Sequence, residues 1–465
     1  MVFSSHVFLF LFLPAVIFGY FALGRLNRPW LPRLFLVLAS LYFYAYFNWS
    51  YLLLILVSLL VNYGCGAGMQ SAKRGRGTIL AAGILFDVAL LGYYKYADFF
   101  IVNINAAFSL DWATRHLILP LGISFFTFQQ IAYLYEVYTD SLQRRYSFLS
   151  YTLFISYFPQ LIAGPIVLPE EMMSQFDDSR NQKFDWRNFS SGLYLFSIGL
   201  AKKLIIADTL AVNVDRAYSD ASLHPLDLAG GWAALGFWIQ LYFDFSAYSD
   251  MALGLGRMFN IRLPLNFNSP LRSASIQEFW RTWHITLGRF FASFVYIPLG
   301  GNRKGKLRTL ANLFLTAFVC GFWHGAGWFY IIWGALNGLG MVAHRVWNMF
   351  IPFRLPRFLG VALTFSFITL IGVFFRAQSW DQICNVFYGI FNFSAGSITA
   401  GVRDFSRNAV GMFALAIFII FFIRNASGRI EEFRPSPFNA LCTVALLVSS
   451  VFCMTRISPF LYFNF

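Results

Sequence analysis

Long apolar runs separated by short basic clusters repeat along nearly the whole of this sequence. Residues 7–23 form the first run, followed by Arg25, Arg28 and Arg33. Residues 34–47 and 51–63 form a pair with a polar break at Asn48, and Lys73, Arg74 and Arg76 follow. Residues 79–94 and 99–108 read as two more spans. Residues 117–138 contain Pro120 and Gly122, which break or tilt a helix. Residues 148–168 carry YFPQLIAGPIV, whose Pro159, Gly164 and Pro165 predict kinked or unwound backbone. Such backbone is tolerated at membrane depth only where it is buried in protein or lines a wet cavity.

The polar stretch 170–188 reads as an exposed loop. Residues 193–211 resume the apolar pattern around Lys202 and Lys203, which are expected to snorkel to the interface. Residues 237–256 carry Asp244 and Asp250 inside an apolar run, with Arg257 just beyond. The segment 263–308 is basic and less apolar, so it reads as cytoplasmic or re-entrant, with a helix over 276–291. There Ile276, Trp280, Trp283, Leu287 and Phe290 recur at three- and four-residue spacing. Gln277, Arg281, His284 and Gly288 share an adjoining face, which directs Arg281 and His284 into one space. Residues 309–350 form a core pair of helices with His324 between them, and 358–375, 410–423 and 441–453 complete the count. The pattern predicts about 11 to 13 crossings or re-entrant segments, given about 20 residues for each full crossing. Residues 1–465 read as one integral-membrane domain.

Composition strengthens this reading. The chain is 58% hydrophobic and 12% charged, where soluble domains carry about 25% charged residues. The alternating ten-residue segments of a β-barrel are absent. The formal charge is +14, but the basic residues sit in short loops, as the positive-inside rule requires, so lipid and topology explain them without nucleic acid. Two basic loops flanking a pair of crossings put the N-terminus on the periplasmic side. The opening MVFSSHVFLFLFLP lacks the basic start and cleavage site of a signal peptide and reads as the first span. Cys65, Cys320, Cys384, Cys442 and Cys453 lack paired spacing and read as buried, inert thiols.

The candidate chemistry centres on two histidines. His324 is the one ionisable residue in FVCGFWHGAGWFYIIWG, and His284 lies in FWRTWHITLGRFF. Ionisable groups inside a membrane are costly and mark cavities or functional paths. The glycines beside His324 read as room for close approach. An uncharged imidazole is a competent general base towards a hydroxyl. His6, His116, His224 and His344 lie in polar or terminal positions and read as solvated or capping residues. No histidine or cysteine spacing suits a metal. Asp250 and Arg257, seven apart, read as a structural ion pair on one helix face. GGNRKGKL at 300–307 matches a phosphate-loop pattern in part, but Leu307 replaces the required Ser or Thr, so it reads as a basic turn.

Several stretches taken together carry a family resemblance. They are PLGISFFTFQQIAYLYEVY at 120–138, YFPQLIAGPIV at 157–167, FDFSAYSDMALGLGRMFNIRLPLNFNSP at 243–270, the RTWH and WHG segments, and LYFNF at the C-terminus. The sequence resembles the membrane-bound O-acyltransferase (MBOAT) family, in particular its bacterial alginate-acetylating branch. The resemblance implies an all-α polytopic ring of helices around a central funnel or tunnel. It implies His324 of the WHG motif as the catalytic histidine and His284 as a second family histidine. Arg281 or a backbone N–H would stabilise the oxyanion. It further implies an acetyltransferase of the bacterial inner membrane with no bound cofactor or metal. Its donor would be a cytoplasmic acyl thioester, acetyl-CoA or another. Its acceptor pathway would lead to an exported polysaccharide such as alginate or cellulose, through periplasmic acetyl-transfer proteins and a polysaccharide synthesis and export complex. D-alanyl or other acyl transfer to an envelope polymer is the enzymatic alternative. A polysaccharide or lipid transporter is the non-enzymatic one, against which stands the lack of inverted repeats with paired broken helices.

Overall fold

Backbone groups in lipid find no water, so only helices and closed barrels cross a bilayer. The computed structural model describes residues 1–26, 28–142, 144–394, 407–454 and 460–461, and all regular structure among them is helical. Ser50–Ser71, Arg76–Phe108 and Arg357–Arg376 are long and apolar enough to cross a membrane. Phe8–Gly24, Trp30–Ala45, Ile285–Tyr296, Gly411–Phe422 and Pro437–Cys453 are apolar but shorter. Outward faces of these helices expose Phe18, Leu38, Leu53, Leu85, Leu363 and Val444, a surface suited to lipid chains. The protein is an all-helical polytopic membrane protein.

At its centre stands the helix Phe237–Met258, every residue of which is buried. It packs along the helix Trp186–Ala201 at glycine crossings. A Cβ on Gly254 would lie 2.6 Å from the Gly192 carbonyl oxygen, and one on Gly199 would lie 2.7 Å from that of Ala247. Small residues at such crossings let two backbones pack directly. Ion pairs complete the contact. Lys202 Nζ lies 2.6 Å from Asp250, and Lys203 Nζ lies 2.7 Å from Asp244 and 2.8 Å from Asp208. The Leu461 N–H donates to Asp244 at 2.9 Å, which ties the C-terminal end to the central helix. Residues 462–465 of LYFNF lie outside the described residues.

The structure corrects several sequence expectations. Lys202 and Lys203 do not snorkel, because central-helix carboxylates hold them inside. Asp250 therefore pairs with Lys202 rather than Arg257, and Arg257 reaches Glu431. The expected spans 79–94 and 99–108 are one element, Arg76–Phe108, continued through a π-helical turn at Gly92–Tyr96. The stretch 170–188 is not a loop throughout. It begins with the helix Pro169–Asp177, which buries Met172, Met173 and Phe176. The helix after Gly122 starts only at Ile123. Gly122 has φ +73°, and a Cβ there would lie 2.8 Å from the Leu161 carbonyl oxygen. Of the five thiols only Cys320 is buried, while Cys384 and Cys453 are exposed on outward faces.

The buried lysine pairs yield a test. Lys203→Met strands Asp244 inside the protein, and breaking such a pair costs about 3–5 kcal/mol. Thermal unfolding in detergent should show a large loss of stability, recovered in part by the double variant with Asp244→Asn. A single variant as stable as wild type would contradict the role given to the pair.

Candidate active site

The helix expected over 276–291 is two helices, Ile276–Thr282 and Ile285–Phe291. His284 stands between them at φ +43°, ψ +54°, in the left-handed region. Non-glycine residues hold that conformation only where their surroundings fix it. Asn266 does the fixing. Its side-chain oxygen lies 3.1 Å from His284 Nδ1 and accepts from the Thr286 hydroxyl at 2.9 Å. Its backbone carbonyl accepts the Ile285 N–H at 2.9 Å. Thr286 Oγ1 in turn accepts the Ile166 N–H at 2.9 Å, which draws in the GPIV turn. The Asn266 amide oxygen can only accept, so His284 Nδ1 carries the proton and Nε2 is the basic nitrogen. The ring is 1% exposed, and Phe245 meets it edge-on at 4.8 Å.

His324 ends the helix Lys306–His324 and is 3% exposed. The rings around its imidazole include Trp323 at 4.9 Å, Trp333 at 5.2 Å and Phe375 at 5.3 Å. The last carbonyls of a helix have no partner within it. Here Lys95 Nζ donates to the Trp323 carbonyl at 2.7 Å and to that of His324 at 3.0 Å. The Tyr96 hydroxyl donates to the Phe322 carbonyl at 2.9 Å. Both donors meet carbonyls that the helix itself leaves without partners. The two donors are adjacent in the π-helical turn that interrupts the long Arg76–Phe108 element.

The two histidines share one aromatic wall. Phe125 lies 6.4 Å from the His284 ring and 6.0 Å from Trp323. Trp283 stacks on Trp238 at 5.0 Å, and Trp238 lies 6.5 Å from Trp333. Beside the end of the His324 helix is a cavity of about 300 Å³, lined by Tyr94, Lys95, Asp98, Gly325, Ala326 and Tyr330.

The model of the membrane-bound O-acyltransferase family matches residues 137–379, more than half of the chain and including both histidines. Peptidoglycan O-acetyltransferase from Helicobacter pylori is 40% identical over 517 residues, covering 100% of this chain and 98% of that protein. The chain belongs to the membrane-bound O-acyltransferase family. The probable alginate O-acetylase AlgI of Pseudomonas putida is 36% identical over 502 residues, covering 100% of both chains. Teichoic acid D-alanyltransferase from Streptococcus thermophilus is 28% identical over 246 residues, covering 50% of this chain and 59% of that one. The protein is thus an acyltransferase.

Within this MBOAT enzyme the structure brings His284 and His324 to one wall but leaves Arg281 out. The break at His284 destroys the helical face the two were expected to share, and Arg281 is exposed. Gly325 has a packing role as well as one of access. A Cβ there would lie 2.2 Å from the Tyr330 ring. The sequence reading missed Lys95 and Asn266. Lys95 carried a signal, since a lysine in the apolar run YYKYADFF is a costly residue in a membrane. Asn266 carried none, because its partners are remote in sequence. Lys95→Met should keep the protein in the membrane but lower acyl transfer at least tenfold, as two carbonyls lose their partner at the His324 turn. Lys95→Arg should recover part of the loss. Full activity of Lys95→Met, measured per mole of protein, would show that the cap does not matter.

Proposed function

We propose that the protein moves an acetyl group from an acyl thioester on the cytoplasmic side, acetyl-CoA or another, to a glycan hydroxyl beyond the inner membrane. The observation that carries this reading is the pair of buried imidazoles, each held where a helix is interrupted and both lining one aromatic wall. In the proposed step His324 takes the proton of the incoming hydroxyl, and the oxygen attacks the thioester carbonyl carbon. The tetrahedral intermediate then breaks its C–S bond, and the departing thiolate recovers the proton from the imidazolium. A bulky charged donor stays on its own side, and only the acyl group passes.

His284 approaches from the basic segment and serves as a second proton-handling or orienting group. With Arg281 exposed, the oxyanion needs other donors. The indole N–H groups of Trp323 and Trp333 support this role, being buried with no acceptor among the described residues and beside the His324 ring. The acceptor class follows relatives that span the chain, which are named for peptidoglycan and for alginate. We therefore place the final acetyl group on peptidoglycan or on an exported polysaccharide such as alginate or cellulose. Periplasmic transfer proteins and a synthesis and export complex would complete the route. D-alanyl transfer is the second reading, resting on relatives that cover only about half of the chain.

A deletion strain complemented with wild type or His324→Ala tests the proposal. O-acetyl groups released by mild alkali would be measured on purified peptidoglycan and on exported polysaccharide, with D-alanine esters on envelope polymers as a third readout. The variant should lose acetyl from one glycan at normal membrane abundance, and the fraction that loses it names the acceptor. Loss of D-alanine esters alone would favour the second reading. Normal acetylation of both glycans at normal abundance would sink the catalytic role of His324.

A further inference from the structure

A cleft of about 800 Å³ has neither histidine in its lining. Its long walls are apolar, with Ile198, Ile205, Leu415, Ile419 and Leu446 along them. Its rim carries Arg424, Arg429 and Arg434, and Lys202 lines it further in. Some of that charge is already matched: Lys202 lies 2.6 Å from Asp250, and Arg429 lies 2.7 Å from Glu432, which also lines the rim. Arg424 and Arg434 have no carboxylate partner among the described residues. The Arg272 guanidinium adds charge nearby, donating to the carbonyls of Ile420 and Ile423. Ser436 and Asn439, at the N-terminus of the helix Pro437–Cys453, lie on the same rim and present its partial positive charge.

The dimensions point to one class of occupant. All three arginines of the rim lie in the connection between the helices Arg407–Phe422 and Pro437–Cys453. From Arg424 back to Leu415, and from Ser436 on to Leu446, the helices run roughly 15 Å at the standard rise. That is about half of a hydrocarbon core of about 30 Å, the depth of one leaflet. The two helices also expose Phe418, Phe422, Val444 and Val448, so the cleft lies among bilayer-facing elements. A soluble nucleotide thioester would match the rim but not a leaflet-deep apolar wall.

We infer that this cleft binds an anionic phospholipid, with its phosphate at Arg424 and Arg434 and an acyl chain along Ile419 and Leu446. The cleft also adjoins the catalytic wall. Tyr242 lines it and lies 6.3 Å from Phe267 and 6.4 Å from Trp283, both neighbours of His284.

Native mass spectrometry of the purified full chain in detergent tests this, using equimolar phosphatidylglycerol and phosphatidylethanolamine as probes. Wild type should retain one phosphatidylglycerol in preference to phosphatidylethanolamine. Arg424→Ala with Arg434→Ala should reduce that retention at least fivefold, and Arg424→Lys with Arg434→Lys should preserve it, since juxtamembrane basic residues attract anionic lipid by charge. An unchanged gel-filtration profile confirms that the variants fold. Equal retention of both lipids would mean annular lipid only and overturn the proposal, as would an alanine variant that binds like wild type. Displacement of the lipid by coenzyme A would assign the cleft to a soluble phosphate ligand and overturn it too.

Discussion

The side-chain nitrogen of Lys95 holds the end of the helix that carries His324, and the rest of the site depends on that contact. A helix that stops among apolar side chains leaves carbonyls that water cannot reach. Leaving a buried acceptor unsatisfied costs about 1–3 kcal/mol. Lys95 serves the Trp323 and His324 carbonyls, and Tyr96 serves that of Phe322. With these partners the chain can turn at Gly325 to Gly327 and re-enter as the helix Trp328–Phe350. His324 thereby sits at an interruption rather than on the side of a continuous helix.

The same logic appears at His284 in mirror form. There the interruption precedes a helix, and Asn266 supplies the partners for the backbone and for the imidazole. Both histidines thus occupy places where the polypeptide breaks its regular bonding, and a side chain from a distant segment repairs each break. The central helix Phe237–Met258 provides the fixed reference. Glycine crossings and two buried lysine–aspartate contacts lock it to its neighbour, and its Trp238 and Phe245 face the two rings' surroundings.

Much of this was legible in the sequence, for identifiable reasons. Membrane character followed from composition and from long apolar runs, because lipid leaves no other way to bury a backbone. His324 stood out because a titratable group is rare in so apolar a run. The left-handed break at His284 was not legible. Its period-3.6 pattern continues smoothly across 276–291, and only Asn266, folded back from another segment, imposes the break. The fates of Lys202 and Lys203 were missed similarly. Each lysine alone suggests snorkelling, and only the packing of two helices reveals Asp244 and Asp250 opposite them. The break at His284 and the fates of the two lysines share one cause, since each depends on polar contacts between residues remote in sequence.

We propose that His324 acts as a proton acceptor at this interrupted helix end. The decisive measurement is transfer of label from an acetyl thioester to glycan in membranes that carry the enzyme together with its periplasmic transfer proteins, comparing wild type with His324→Gln. Transfer should fall at least about 100-fold, the scale of general-base catalysis, with thioester binding retained. Transfer by His324→Gln within a few-fold of wild type would contradict it.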